Sequence, residues 1–281
     1  MRYVTATTEQ EALTVLKGGD VRVVAGGTDL FPAMNDQAVL PPALDISALA
    51  AFHGITRTES GWRIGAATPW RDIIRADLPA MFHGLQAAAR EVGSVQIQTR
   101  GTIGGNICNA SPAADGVPPL LTLDAKVDLI SENGCRRVPL SDFLLGVRQT
   151  DLRPGELLRS IVIPDLPDHC LSDFEKLGAR RYLVISIAMV SALVVPDGSG
   201  GFSDARIAVG ACSAVARRLT RLEELVVSAQ RAEFLEEIYS GHFTALSPIG
   251  DVRASGAYRM RVSETLVRRM LTGFLKEGAC G

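Results

Sequence analysis

Two glycine-rich segments constrain this chain more than anything else in it. The first is Val23-Val24-Ala25-Gly26-Gly27-Thr28-Asp29-Leu30, and the second is Thr99-Arg100-Gly101-Thr102-Ile103-Gly104-Gly105-Asn106. In each, a Gly-Gly pair sits beside a hydroxyl residue and a side-chain amide or carboxylate. Glycine tolerates positive φ and carries no Cβ, so successive backbone N–H groups can converge on one concavity. Such a concavity suits phosphate oxygens, and Thr28, Thr102 and Asn106 add neutral donors. Neither segment has GxGxxG spacing or the GxxxxGK[ST] lysine, so the standard Rossmann and P-loop patterns do not apply. The same residues also serve plain tight turns. On the residues alone both readings stand, and a dinucleotide gripped from two sides is one of them.

The pattern around these segments is that of alternating helices and strands. Thr8 to Lys17 has helical spacing, with Thr7 or Thr8 as cap and Gly18-Gly19-Asp20 as terminator. Val21 to Ala25 reads as a short strand, Leu30 to Met34 as a further apolar segment, and Trp62 to Ala66 as a second strand. Leu85 to Val92 predicts a helix, while Ala125 to Ser131 and Leu157 to Ile163 predict strands, the last closed by Pro164. Pro164 to His169 interrupts all periodicity and reads as a linker. Beyond it, Met189 to Val195 and Ala205 to Gly210 flank a glycine-rich loop and predict a β-hairpin. Helices are expected over Arg217 to Ser228, Ala232 to Ser240 and Ser263 to Lys276. The expected fold class is α+β, with an α/β domain over 1–167 and a smaller α+β domain, antiparallel sheet and helices, over 168–281.

Several function classes fall away on composition. Acidic and basic residues are mixed along the 281-residue chain and leave a formal net charge of −2, so the basic stripe of a nucleic-acid binder is missing. The longest apolar stretch, Tyr182 to Val195, contains two serines and is shorter than the ~20 residues a bilayer span needs. Met1 to Gln10 lacks an apolar signal core, which predicts a cytoplasmic protein. The cysteines (Cys108, Cys135, Cys170, Cys212, Cys280) and histidines (His53, His83, His169, His242) are scattered, with no CxxC pair, so no metal site is expected. If the protein handles electrons, its redox centre is expected to be an organic cofactor.

The wording of the glycine segments carries a resemblance. Ala25-Gly26-Gly27-Thr28-Asp29-Leu30, then Thr102-Ile103-Gly104-Gly105-Asn106, then Ser111-Pro112-Ala113-Ala114-Asp115 resembles the FAD-binding medium subunit of the xanthine dehydrogenase and carbon monoxide dehydrogenase (molybdenum hydroxylase) family. Supporting segments follow in order: Gly65-Ala66-Ala67-Thr68, Leu157 to Pro164, Phe174-Glu175-Lys176-Leu177-Gly178-Ala179-Arg180, and Asp251 to Arg259, similar to the family's closing helix. The resemblance implies a two-part FAD-binding domain of the PCMH type followed by the family's C-terminal domain.

It also implies a site. Val24, Ala25, Gly26, Gly27, Thr28, Asp29 and Leu30, with Thr102, Ile103, Gly104, Gly105 and Asn106, would wrap the pyrophosphate and ribityl chain of FAD. Thr68 would assist them, Asp115 would accept from a cofactor hydroxyl, and Leu158 would line the adenine side. Lys176 would reach the isoalloxazine ring, where a cation favours the anionic reduced flavin. Many relatives carry an aspartate shortly after the arginine matching Arg180, where this chain has Tyr182-Leu183-Val184-Ile185. The implied partners are a large subunit with the molybdenum cofactor and a small subunit with [2Fe-2S] clusters, in a hetero-oligomer. Electrons from the clusters would pass through FAD to an external acceptor. A self-contained FAD-dependent reductase or oxidase and a non-enzymatic nucleotide-binding module are the competing readings.

Overall fold

The computed structural model describes residues 3–33, 41–180, 184–229 and 233–278. Its chain passes repeatedly between two units. The first comprises Met1–Ala76, Ser94–Ala110 and Asp124–Asp165, and the second comprises Asp77–Gly93, Ser111–Leu123 and Leu166–Gly281.

In the first unit, Thr8 starts the helix Glu9–Lys17 by accepting the Glu11 N–H at its hydroxyl (3.2 Å). That helix is the crossover of a small parallel sheet, ordered Tyr3–Thr5, Ala43–Asp45, Arg22–Val24. A second, antiparallel sheet runs in the order Ile55–Thr58, Gly61–Gly65, Leu157–Pro164, Lys126–Ser131, Gly134–Pro139. Its central strand pairs Ile161 with Ile64 on one side and Val127 on the other. The mostly apolar segment Leu157 to Ile163 suits that central position, and Ile161 and Ile163 are fully buried. The register shifts between Leu158 and Ser160, so Arg159 bulges out and faces the Glu9 carboxylate at 2.8 Å.

The second unit is built on an antiparallel sheet ordered Leu171–Leu177, Ala188–Pro196, Phe202–Gly210, Arg217–Arg218. Side chains alternate across it. Ala188, Val190, Ala192 and Val194 face a core shared with Leu222 and Val226 of the helix Thr220–Ser228 and with Met270, Leu271 and Phe274 of the helix Gly256–Gly278. Met189 faces the other way, onto Ala88 of the helix His83–Glu91. On that same face the Thr122 hydroxyl of the helix Val117–Thr122 lies 3.5 Å from Ser191 Oγ. Helices therefore cover both faces, and the hairpin strand Ala188–Pro196 is apolar at nearly every position because each side is dry.

Four expectations change. Arg217 and Arg218 are not helical: they pair with Val209 and Ala208 as a sheet edge, and the helix begins at Thr220. The last helix begins at Gly256 rather than Ser263, its Arg259 N–H bonded to Ser255 O at 3.1 Å. Between them only Phe234–Glu237 is α-helical within the span expected from Ala232, which itself lies outside the described residues. The second glycine segment is not a turn: Ile103–Asn109 is a short helix capped by Thr102. The apolar segment Leu30 to Met34 is a short helix, Leu30–Ala33, with Met34 outside the described residues. Among the described residues no helix is long and apolar enough to cross a membrane.

Candidate functional site

In the first unit the two glycine segments meet. The strand Arg22–Val24 ends at Val24, whose carbonyl accepts from Ile46 (2.9 Å), and the chain turns through Ala25 to Asp29 into the helix at Leu30. Gly27 takes φ +70°, the left-handed region that favours glycine. Gly26 packs against Arg100 so tightly that a Cβ there would stand 1.9 Å from the Arg100 carbonyl oxygen. Thr28 Oγ1 lies beside Gly101, 3.3 Å from where its Cβ would be. Gly26 is therefore required by backbone packing rather than by room for a ligand.

The second segment directs its amides inward. Ile103 N–H donates to Thr68 O (3.1 Å), Gly104 N–H to Ala66 O (2.8 Å) and Gly105 N–H to the Thr102 hydroxyl (3.1 Å). Gly104 needs to be glycine, since a Cβ would sit 2.6 Å from Ala66 O. Thr68, fully buried, lends its hydroxyl to Gly54 O at 3.3 Å. These contacts bring Gly26, Thr28, Thr68 and Thr102 to Gly104 together, with the amides of Ile103, Gly104 and Gly105 satisfied within the protein.

What remains open is specific. Among the described residues no protein group accepts the backbone N–H of Gly26, Gly27 or Thr28. Asn106 Oδ1 is buried without a hydrogen-bond partner, a state that native structures resolve with a water or ligand. Open amides beside a positive-φ glycine suit anionic oxygens, and an unanswered amide oxygen suits a hydroxyl, so these residues fit the pyrophosphate and polyol of a dinucleotide. Asp29 is exposed. Leu158 is buried at the first residue of the bulge, opposite Leu129.

In the second unit, Lys176 and Asp115 form a buried ion pair, Nζ to Oδ2 at 2.7 Å, with side chains 6% and 9% exposed. Lys176 also donates to Glu91 O at 3.3 Å. An ammonium has three donors, and among the described residues the third finds no protein acceptor. Lys176 lines a cavity of about 530 Å³ with Arg90, Glu91, Phe174, Arg180 and Val184. Asp115 gives its other oxygen to the Ser186 hydroxyl at 2.7 Å. Burial pushes the Asp115 carboxyl above the usual carboxylate range, opposed by Lys176 and Ser186. Ser186 escaped the sequence reading, although a serine interrupting an apolar stretch was the available signal. Tyr182 and Leu183 lie outside the described residues.

Open amides at a glycine turn in the first unit, and a buried ammonium on a cavity wall in the second, fit the class of proteins that bind an anionic nucleotide cofactor. Comparison with known proteins gives the particular family. The family described as the FAD binding domain in molybdopterin dehydrogenase matches residues 1–166, and the CO dehydrogenase flavoprotein C-terminal domain matches residues 174–274. The chain is 32% identical to the glyceraldehyde dehydrogenase medium chain of Sulfolobus acidocaldarius, covering 95% of each. It is 31% identical to the putative xanthine dehydrogenase FAD-binding subunit of Escherichia coli, covering 96% of this chain and 94% of that one. A CO dehydrogenase structure from Oligotropha carboxidovorans matches with a TM-score of 0.87 at 26% identity, over 96% of this chain and 95% of that one. The chain belongs to the family of FAD-binding medium subunits of the molybdenum hydroxylases, and it is an FAD-binding oxidoreductase subunit.

Proposed function

We propose that this chain is the flavin relay of a heteromeric molybdenum hydroxylase. A large subunit with the molybdenum cofactor and a small subunit with [2Fe-2S] clusters deliver electrons to it, and an external acceptor removes them. Bound FAD supplies the exchange between one- and two-electron chemistry that such a relay needs. The observation that carries the reading is the Lys176 ammonium: buried, paired on one side with Asp115, and with one donor still open on a cavity wall.

We assign binding roles to the residues as follows. Val24 to Leu30 form the pyrophosphate turn, supported by the open amides of Gly26, Gly27 and Thr28. Thr102 to Asn106 brace that turn, with Asn106 Oδ1 answering a cofactor hydroxyl and Thr68 holding the brace in place. Leu158 borders the adenine side. Lys176 faces the isoalloxazine, where its charge favours the reduced anion, and Asp115 holds it there. The complex is placed in the cytoplasm, a reading supported by the free thiols Cys108, Cys135, Cys170 and Cys212.

The test is purification of the chain co-expressed with its native partner subunits, followed by absorption spectroscopy and metal analysis. Flavin, iron and molybdenum bleached together by one substrate is the expected result. A yellow chain that purifies alone and is reduced directly by its own substrate overturns it.

A further inference from the structure

Ser186 has no part in the assignments above, yet it is built into the centre of the second unit. Its hydroxyl donates to Asp115 Oδ1 at 2.7 Å while Lys176 Nζ donates to Asp115 Oδ2 at 2.7 Å, so the two carboxylate oxygens are divided between them. Ser186 is 2% exposed. The next residue, Ile187, is held by its backbone on both sides. Ile187 N–H donates to Leu177 O at 2.7 Å, and Ile187 O accepts from Arg259 Nη1 at 2.5 Å. Arg259, itself buried, is anchored by Asp251 Oδ1 at 2.8 Å. A serine hydroxyl can turn to a backbone carbonyl or to water, but here the fixed peptide aims it at one carboxylate oxygen.

We infer that Ser186 is a positioning residue: its hydroxyl fixes the orientation and charge of the Asp115 carboxylate, and so sets how much of the Lys176 charge is left for the flavin. This rests on the placement of Lys176 at the flavin proposed above. A hydrogen bond donated to a carboxylate favours its ionised form, and burial opposes it. Among the described residues, the charged groups that act on Asp115 are Lys176 from the strand Leu171–Leu177 and Glu91 from the helix His83–Glu91, which acts against ionisation. Arg90 and Arg180 stand on the wall of the cavity that Lys176 lines, and Arg259 reaches the adjoining peptide from the helix Gly256–Gly278. With Asp115 ionised, the Asp115–Lys176 pair is neutral overall. Without the Ser186 hydroxyl, Asp115 keeps its proton to higher pH. Over that added range the pair carries one net positive charge, which favours electron uptake by the flavin.

The experiment is the flavin midpoint potential against pH in the FAD-loaded complex, for wild type, Ser186→Ala, Asp115→Asn and Lys176→Met. Ser186→Ala is expected above wild type over the pH range in which only the variant keeps Asp115 protonated and merged with it at higher pH, and Asp115→Asn above wild type wherever wild-type Asp115 is ionised. A Ser186→Ala profile that superimposes on wild type, or is displaced equally at every pH, overturns the inference. If Lys176→Met moves the potential while Ser186→Ala leaves the profile alone, only this inference fails. If Lys176→Met leaves the potential unchanged, the placement of Lys176 at the flavin fails as well. Should Ser186→Ala not assemble, Ser186→Cys keeps the volume with a weaker donor and is expected to show the same displacement over that range.

Discussion

Lys176 shows how much a single side chain depends on its partner. Taken in isolation a lysine is a surface residue, yet this one is sealed against Asp115 with a side chain only 6% exposed. Removing one member of a buried pair leaves an uncompensated charge, a loss of about 3–5 kcal/mol. Lys176→Met is therefore expected to lower stability by that order in urea unfolding followed by circular dichroism. Lys176→Met with Asp115→Leu should regain most of it, because no charge is then stranded. Gly26 makes the complementary point. Its glycine pair was legible as a site for close backbone approach, but the partner was not, because what a Cβ would meet, at 1.9 Å, is the Arg100 carbonyl, far along the sequence. Gly26→Val should accordingly prevent the first unit from folding. Soluble, fully structured protein that lacks only flavin would instead return Gly26 to the ligand.

At the scale of elements, local chemistry was legible wherever it agreed with tertiary packing. The Thr8 cap, the apolar strand closed by Pro164 and the hairpin from Met189 to Gly210 all appear where their residue patterns put them. The helix Ile103–Asn109 was hidden because it contains two glycines and two asparagines, all poor helix formers. It persists because Thr102 caps it and Gly104 lies flat on Ala66. Thr102→Val should cost about 1 kcal/mol, the usual loss on removing a cap, and raise amide exchange in Gly105. The arginine pair at 217–218 was equally illegible, since a two-residue edge strand is defined by the partner that reaches it. Of the proposed site, the glycine turn and Lys176 were visible from motif wording. Ser186 was not, because its importance lies in the Asp115 oxygen it meets and nothing local encodes that meeting.

The whole molecule has an acid-sensitive point at Asp251. Backbone N–H groups of Arg253 and Ala254, with the Arg253 and Arg259 guanidinium groups, hold its carboxyl down to about 2. The unfolded chain takes up that proton near pH 3.9, so the stabilisation is whole above that range and is lost as pH falls from about 4 towards 2. Asp251→Asn should flatten this part of an acid-unfolding curve while lowering stability at neutral pH. Connectivity sets a second expectation. The segments Asp77–Gly93 and Ser111–Leu123 belong to the second unit although they precede the end of the first. A fragment ending at residue 167 lacks the sheet that their helices cover. It is expected to bind hydrophobic dye and resist crystallisation, and a fragment giving sharp, dispersed amide resonances throughout would contradict this.

The same interleaving has a consequence during synthesis. A ribosome emits about 5–20 residues per second, so the helices His83–Glu91 and Val117–Thr122 leave the exit tunnel on the order of ten seconds before the hairpin Ala188–Gly210 that seals them. For that interval the nascent chain displays Leu85, Ala88, Leu120 and Leu121, side chains that end fully or almost fully buried, to whatever waits at the tunnel mouth. Translation speed between codons 91 and 210, and not only the finished sequence, thus bears on how much of this subunit reaches its complex.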